Sequence, residues 1–211
     1  MSTNTLNEQG YTASDEPVPD ATGFGWVVWF VGLPGSGKST YAGAVFDALR
    51  KRGDEVTCLS MDERRKAYFL EPQYTAEERE KAYRLFADEA AMLAREGGNV
   101  IMDGTAHRLS MRSYARRLMP KFAEIEIRCP LEVAVQREKN RPEGEVMAGL
   151  YEKAIQRKET GAEFEGLGEV VGVDVPFEEN PEAECIIDST TVSIEEGKDM
   201  VIALIDRWWN R

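Results

Sequence analysis

Gly32-Leu33-Pro34-Gly35-Ser36-Gly37-Lys38-Ser39-Thr40 has the form G-x-x-x-x-G-K-[ST], and what flanks it decides the fold. The apolar run Trp26-Val27-Val28-Trp29-Phe30-Val31 before it predicts a fully buried strand, and Tyr41 to Leu49 after it has helical spacing. Glycines let the backbone curl around a phosphate with its N–H groups inward, and the helix N-terminus adds partial positive charge. Lys38 can reach the β- and γ-phosphates, and the Ser39 hydroxyl can ligate Mg²⁺. A plain glycine-rich turn is the alternative, but motif and context together predict a nucleoside triphosphate site with Mg²⁺.

A chain of 211 residues fits one α/β domain with a substantial core. Its net charge of -12 offers no general attraction to nucleic acid or an anionic membrane, so neither is an expected partner. Positive charge must therefore be concentrated where an anionic substrate docks. No apolar run approaches the length of a membrane span, and the polar N-terminus has no signal-peptide core, which predicts a cytoplasmic location. Cys58, Cys129 and Cys185 fall in or beside predicted strands without disulfide or metal spacing; buried reduced thiols are expected.

Residues 1–23 are polar, with Pro17 and Pro19, and predict a disordered extension; residues 24–211 form the domain. Glu55–Ser60, Asn99–Asp103, Phe122–Arg128 and Ala183–Asp188 read as further strands. Thr75–Arg95, Ser110–Met119, Leu131–Glu138 and Ile194–Asn210 read as helices, with Thr75 and Glu78 as a capping box and Gly97-Gly98 as a stop. This alternation predicts a three-layer sandwich, a mainly parallel sheet of about five strands with helices on both faces. Lys139 to Asn180 breaks the rhythm. It is glycine-rich with a short helix through Leu150–Arg157, and it predicts a lid over bound nucleotides, with a non-catalytic surface insertion as the other reading.

Phosphoryl transfer needs a carboxylate for the metal or the acceptor proton, and cations for the transferring charge. Asp62 follows the second strand at the carboxyl edge of the sheet, either as such a carboxylate or as the N-cap of a helix over Glu63–Tyr68. Asp103 ends the third strand, either as a metal carboxylate or as a turn aspartate before Gly104. Among the basic residues Arg64, Arg65, Lys66, Arg79, Arg108 and Arg112, Arg65 and Arg108 stand out because each follows a strand end closely. His107 reads as a hydrogen-bonding loop residue more than a catalytic one. A protein-bound zinc site has no ligand set.

From Trp26 to Asp188 the pattern resembles the adenylylsulfate kinases, which phosphorylate the 3′-hydroxyl of adenosine 5′-phosphosulfate. The phosphate loop is close to that family's. The segment Ser60-Met61-Asp62-Glu63-Arg64-Arg65 lies on its Asp-Gly-Asp-Asn-x-Arg, which implies a substrate-binding role for Arg65. Gln73-Tyr74-Thr75-Ala76-Glu77-Glu78-Arg79 lies on its Gly-Phe-Ser-x-x-x-Arg, implying that Tyr74 stacks on a base and Arg79 meets a substrate phosphate. Thr105-Ala106-His107-Arg108 corresponds to its Ser-Pro-[Tyr/Phe]-Arg, which places Arg108 at the acceptor. Arg137 takes the adenine-side arginine position, and Gly149-Leu150-Tyr151-Glu152-Lys153-Ala154 matches the lid's Gly-Leu-Tyr-x-Lys-Ala.

Departures fall on the acceptor side. Ser60 replaces the first aspartate, Ala82 an asparagine and Ala148 a lid lysine, and the lid carries an insertion around Asn140–Met147. Lys139 and Lys153 are candidates to restore the lid charge, and Phe164 joins Tyr74 as a candidate stacking group. The resemblance implies an ATP-dependent kinase making the 3′-phosphorylated product from an anionic small-molecule acceptor. Lys38, Asp62 and Asp103 would be its catalytic residues, with Ser39, Asp62 and Asp103 at the metal. A kinase with another acceptor and a non-catalytic nucleotide-binding regulator are the alternatives. The family often forms dimers, which leaves a homodimer open; Trp208 and Trp209 fit a core equally well.

Overall fold

The computed structural model describes residues 21–140, 149–164 and 166–209. Its strands are β1 (Val27–Val31), β2 (Val56–Ser60), β3 (Asn99–Asp103), β4 (Phe122–Arg128) and β5 (Cys185–Asp188). They form one sheet in the order β2-β3-β1-β4-β5, every neighbour parallel. The helices are α1 (Lys38–Arg52), α2 (Met61–Tyr68), α3 (Ala76–Arg95), α4 (Leu109–Leu118), α5 (Leu131–Lys139), α6 (Leu150–Thr160) and α7 (Ile194–Trp209). The three-layer α/β expectation holds.

Period-two alternation along β1 builds both cores. Val27, Trp29 and Val31 face α3 and α4, while Val28 and Phe30 face α1 and α7. On the first side the Trp29 ring meets Tyr83, Phe86 and Phe122 at centroid distances of 5.9, 5.9 and 6.3 Å. Alanines at 82, 87, 90, 91 and 94 let α3 lie close to the sheet beneath this aromatic group. Ala82 is thus a packing residue, fully buried.

Four expectations change. Ala21–Gly23, read as part of the disordered extension, form a turn in which the Phe24 N–H donates to the Ala21 carbonyl; residues 1–20 lie outside the described residues. Cys58 is exposed rather than buried because β2 is an edge strand; Cys129 is half-buried, Cys185 buried, and all three thiols are free. The helix after β2 begins at Met61 with Ser60 as its N-cap, so Asp62 lies inside the first turn and does not cap it. The lid helix runs on to Thr160, where Gly161 stops it in a left-handed conformation. Ala148, most of the 140–147 insertion and the side chains of Trp208 and Trp209 lie outside the described residues.

On β4, Glu124 and Glu126 point to the α4 side and are both buried. Arg112 of α4, itself 1% exposed, meets Glu124 at 2.5 Å and Glu126 at 3.6 Å. Asn180 completes the set through its N–H to Glu126 (2.7 Å) and its amide to Glu124 (2.9 Å). Arg112 also donates to the Glu178 carbonyl, and the Glu178 N–H donates to the His107 carbonyl. One buried guanidinium thus joins the sheet, the segment before β5 and the loop after β3. Arg116 makes a two-pronged pair with Glu184 at 2.6 and 2.8 Å. Glu126 also pairs with Arg128 at 2.5 Å, so Arg112→Met should strand chiefly the buried Glu124 carboxylate and cost about 3–5 kcal/mol in urea unfolding. Arg116→Met, at a half-exposed pair, should cost about 1 kcal/mol or less. Equal losses in the two variants would refute this account.

Candidate active site

β1 delivers the chain to the phosphate loop and α1 leaves it. Gly32, Gly35 and Gly37 all take positive φ, of 140°, 78° and 103°. A Cβ on Gly32 would stand 2.2 Å from the Ile127 carbonyl oxygen, and one on Gly35 would stand 2.5 Å from that of Ala134. The loop is therefore pressed against β4 and α5. The Ser36 N–H donates to the Leu33 carbonyl at 3.0 Å, and the Lys38 ammonium reaches the same oxygen at 2.8 Å. Ser36 Oγ is buried without a hydrogen-bond partner among the described residues.

The loop forms one wall of a cavity of about 350 Å³, within the range of small-molecule sites. Pro34, Gly35, Lys38 and Ser39 line that wall; Ser60, Asp62 and Asp103 come from the carboxyl ends of β2 and β3 and the start of α2. Ser60 and Asp103 are register partners. The far wall holds Arg65, Tyr74, Arg79 and Tyr83, and the roof is Leu150, Lys153 and residues 166–171. Arg65 and Arg79 are only 5% and 7% exposed. Arg65 lies 5.0 Å above the Tyr74 ring and pairs with Glu78 at 2.9 Å. Burial, with Arg65 and Arg108 nearby, lowers the Arg79 pKa, while Tyr83 and Glu169 act the other way.

The roof has its own small core: Tyr151 and Ala154 of α6 pack with Ala134 of α5 and with Val170. The Tyr151 hydroxyl donates to the Pro34 carbonyl at 2.9 Å, and buried Glu138 accepts the Leu150 N–H at 2.8 Å. Thus α6 is attached to both the phosphate loop and α5.

Many of the expected residues converge on the cavity, but Arg108, Phe164, Arg137 and part of the phosphate loop do not line it. Arg108 is exposed and outside the lining, because Ala106 takes a φ of 41° and turns His107 inward instead. Phe164 is half-buried and also outside the lining; Val170 and Val171 occupy the roof there. Arg137 lies behind the loop, donating to the Ser36 carbonyl at 3.2 Å and to Ser189 at 2.8 Å, which joins the loop to the end of β5. Gly32, Leu33, Ser36, Gly37 and Thr40 shape the loop without lining the cavity. Tyr83 and Glu169 were missed, and His107, expected to hydrogen-bond in its loop, lines the cavity with neither ring nitrogen partnered among the described residues. Tyr83 had a signal, four residues after Arg79 on the same helical face.

Among the described residues no three His, Cys, Asp or Glu form a metal cluster. One hydroxyl and two separated carboxylates suit Mg²⁺ carried by a phosphate, since that ion keeps several waters and takes oxygen donors. The glycine cradle, which a Cβ would fill, fits a phosphate chain.

Comparison with known families matches residues 24–188 to the family described as adenylylsulphate kinase. The chain belongs to that family. It is 32% identical to the probable adenylyl-sulfate kinase of Archaeoglobus fulgidus over 164 residues, which is 78% of this chain and 96% of the relative. It is 31% identical to that of Pyrococcus abyssi over 178 residues, covering 84% and 93%. Among solved structures, the Mycobacterium tuberculosis APS kinase in complex with AMPPNP and APS matches with a TM-score of 0.72 at 26% identity, over 87% of this chain and 98% of that one. A phosphotransferase that uses a nucleotide is therefore the class of this protein. No helix among the described residues is long and apolar enough to cross a membrane.

His107 offers a check on the cavity's electrostatics. Its ring is 3% exposed and neither nitrogen has a partner among the described residues. Burial first, then Arg79 and Arg108, pushes its pKa down from 6.5 to about 4. The unfolded chain takes up the proton first, so stability is full above about pH 6.5 and falls progressively toward pH 4. His107→Phe should flatten that slope in urea unfolding between pH 7 and 4.5. An imidazole NMR titration with an ordinary midpoint would overturn the assignment.

Proposed function

We propose that this protein transfers the γ-phosphoryl group of ATP to the 3′-hydroxyl of adenosine 5′-phosphosulfate. The observation that carries the proposal is one cavity with a phosphate loop on one wall and buried Arg65 and Arg79 on the other. Such an arrangement suits two anionic substrates meeting end to end. The loop N–H groups and Lys38 stabilise negative charge on the β- and γ-phosphates as the bond to the leaving oxygen breaks. Ser39 would hold Mg²⁺ with Asp62 or Asp103, and the ion would supply positive charge to offset that of the phosphates. The other aspartate takes the proton from the attacking hydroxyl. Arg65 and Arg79 orient the acceptor, Tyr74 offers its base a stacking face, and Lys153 closes from α6.

Support for the acceptor comes from the relatives' names and from the Mycobacterium tuberculosis enzyme solved with APS bound. Ser60 beside Asp103 and the fully buried Ala82 favour a second reading, a kinase of this family with another anionic acceptor. A site that lacks a polar partner for one substrate loses selectivity for it by orders of magnitude. The location proposed is the cytoplasm.

Coupled ADP release with adenylylsulfate, set beside a panel of nucleotides and sugars, distinguishes the two acceptors. Turnover of adenylylsulfate well above the rest is expected; preference for another acceptor selects the second reading, and no ADP with any acceptor leaves a nucleotide-binding regulator. Lys38→Ala should lower kcat by about 10²-fold or more with the fold intact by circular dichroism. A near-normal rate in that variant would remove the mechanism.

A further inference from the structure

The two buried arginines of the cavity have partners of different kinds. Arg65 pairs with Glu78, and both side chains are nearly enclosed, at 6% and 10% exposure. Glu78 also accepts the N–H groups of Gln73 and Tyr74, and its own N–H bonds to the Thr75 hydroxyl that caps α3. These donors outweigh burial and hold its carboxyl below the ordinary value. Removing that carboxylate would orphan several donors at once. It is part of the helix start.

Arg79 is held by Glu169 in two places. One Nη donates to the Glu169 backbone carbonyl, and the other reaches the Glu169 carboxylate at 3.4 Å, long for a charge-assisted bond. The Glu169 side chain is 45% exposed against 9% for Arg79. Meanwhile the backbone around Glu169 is anchored independently. Arg157 donates to the carbonyls of Leu167 and Gly168 and pairs with Asp174, whose carboxylate accepts the Val170 N–H. Gly168 packs so closely on Tyr74 that a Cβ would stand 2.2 Å from the Tyr74 carbonyl oxygen. The carboxylate can therefore leave Arg79 while the carbonyl keeps its hold.

We propose that Glu169 is a tethered competitor, its carboxylate occupying the anion seat on Arg79 until an anionic acceptor displaces it. This rests on the reading of Arg79 as an acceptor-binding residue. The exchange replaces one carboxylate–guanidinium contact by another anion–guanidinium contact. A carboxylate-like monoanion gains little by it. A phosphate or sulfate group, with three oxygens sharing its charge, can set two of them against the free edge of the guanidinium and gains more than the single 3.4 Å contact it replaces. Glu169 thereby selects acceptors whose anionic group can meet Arg79 with more than one oxygen, and it is a specificity-determining residue acting through Arg79.

The test uses inorganic sulfate as the probe, followed by NMR titration of the full chain with the phosphate loop saturated by Mg²⁺ and AMPPNP. Glu169→Gln should bind sulfate about five-fold more tightly than the parent, and Glu169→Gln with Arg79→Gln should lose that gain. A disturbed fold weakens binding, so tightening separates competition from damage. Unchanged or weaker sulfate affinity in Glu169→Gln, or a gain that survives Arg79→Gln, overturns the proposal. The KM for adenylylsulfate should fall by a similar factor. If sulfate binds more tightly while adenylylsulfate is not turned over, the competitor stands and the acceptor assignment falls.

Discussion

The phosphate loop has no room to be anything else. Its glycines are pinned between the Ile127 carbonyl at the end of β4 and the Ala134 carbonyl in α5, so the loop's shape is imposed by strands and helices far away in sequence. Parallel pairing of β1 with β3 and β4 puts the three strand ends at one edge, where ligands collect in open α/β sheets. With β2 paired to β3, Ser60 and Asp103 are the last residues of their strands, and Asp62 reaches the cavity two residues beyond β2. The amides, the ammonium and the carboxylates are arranged by sheet register before any ligand arrives.

Around that edge, polar chemistry is used in two ways. Arg112, Glu124, Glu126 and Asn180 form an interior network that carries no ligand and fastens the chain before β5 to the loop after β3. Arg65 and Arg79 are as deeply enclosed as many structural arginines but open onto space. Two residues of the same cavity region, Tyr74 and Ala106, have left-handed backbones at φ 56° and 41°. Such conformations cost about 1–2 kcal/mol for non-glycine residues. They aim Tyr74 and His107 at the cavity.

What could be read from sequence followed the range of the physics involved. Local signals served well: the glycine–lysine loop, the Thr75–Glu78 box and the apolar strands all rest on near neighbours, and the observed strands and capping bond agree with them. Arg65 was legible from its closeness to a strand end and from a family motif, Arg79 from a family motif. Signals that depend on a turn failed. Proximity to a strand end favoured Arg108, but a single positive φ at Ala106 sent it outward. Phe164 was expected to stack in the site, whereas Val170, Val171 and Glu169 lie over the cavity. Cys58 was read as buried from its strand alone, and edge position is a property of the whole sheet.

Tyr151 and Lys153 lie two residues apart on α6, one fastened to the Pro34 carbonyl and the other on the cavity roof. The donor-side loop and the acceptor-side roof are therefore neighbours on a single rigid rod. A rod transmits displacement without needing a chain of intermediaries, and energetic linkage runs equally in both directions. The loop and the roof are therefore carried by one helix, so that a shift of α6 would move both together.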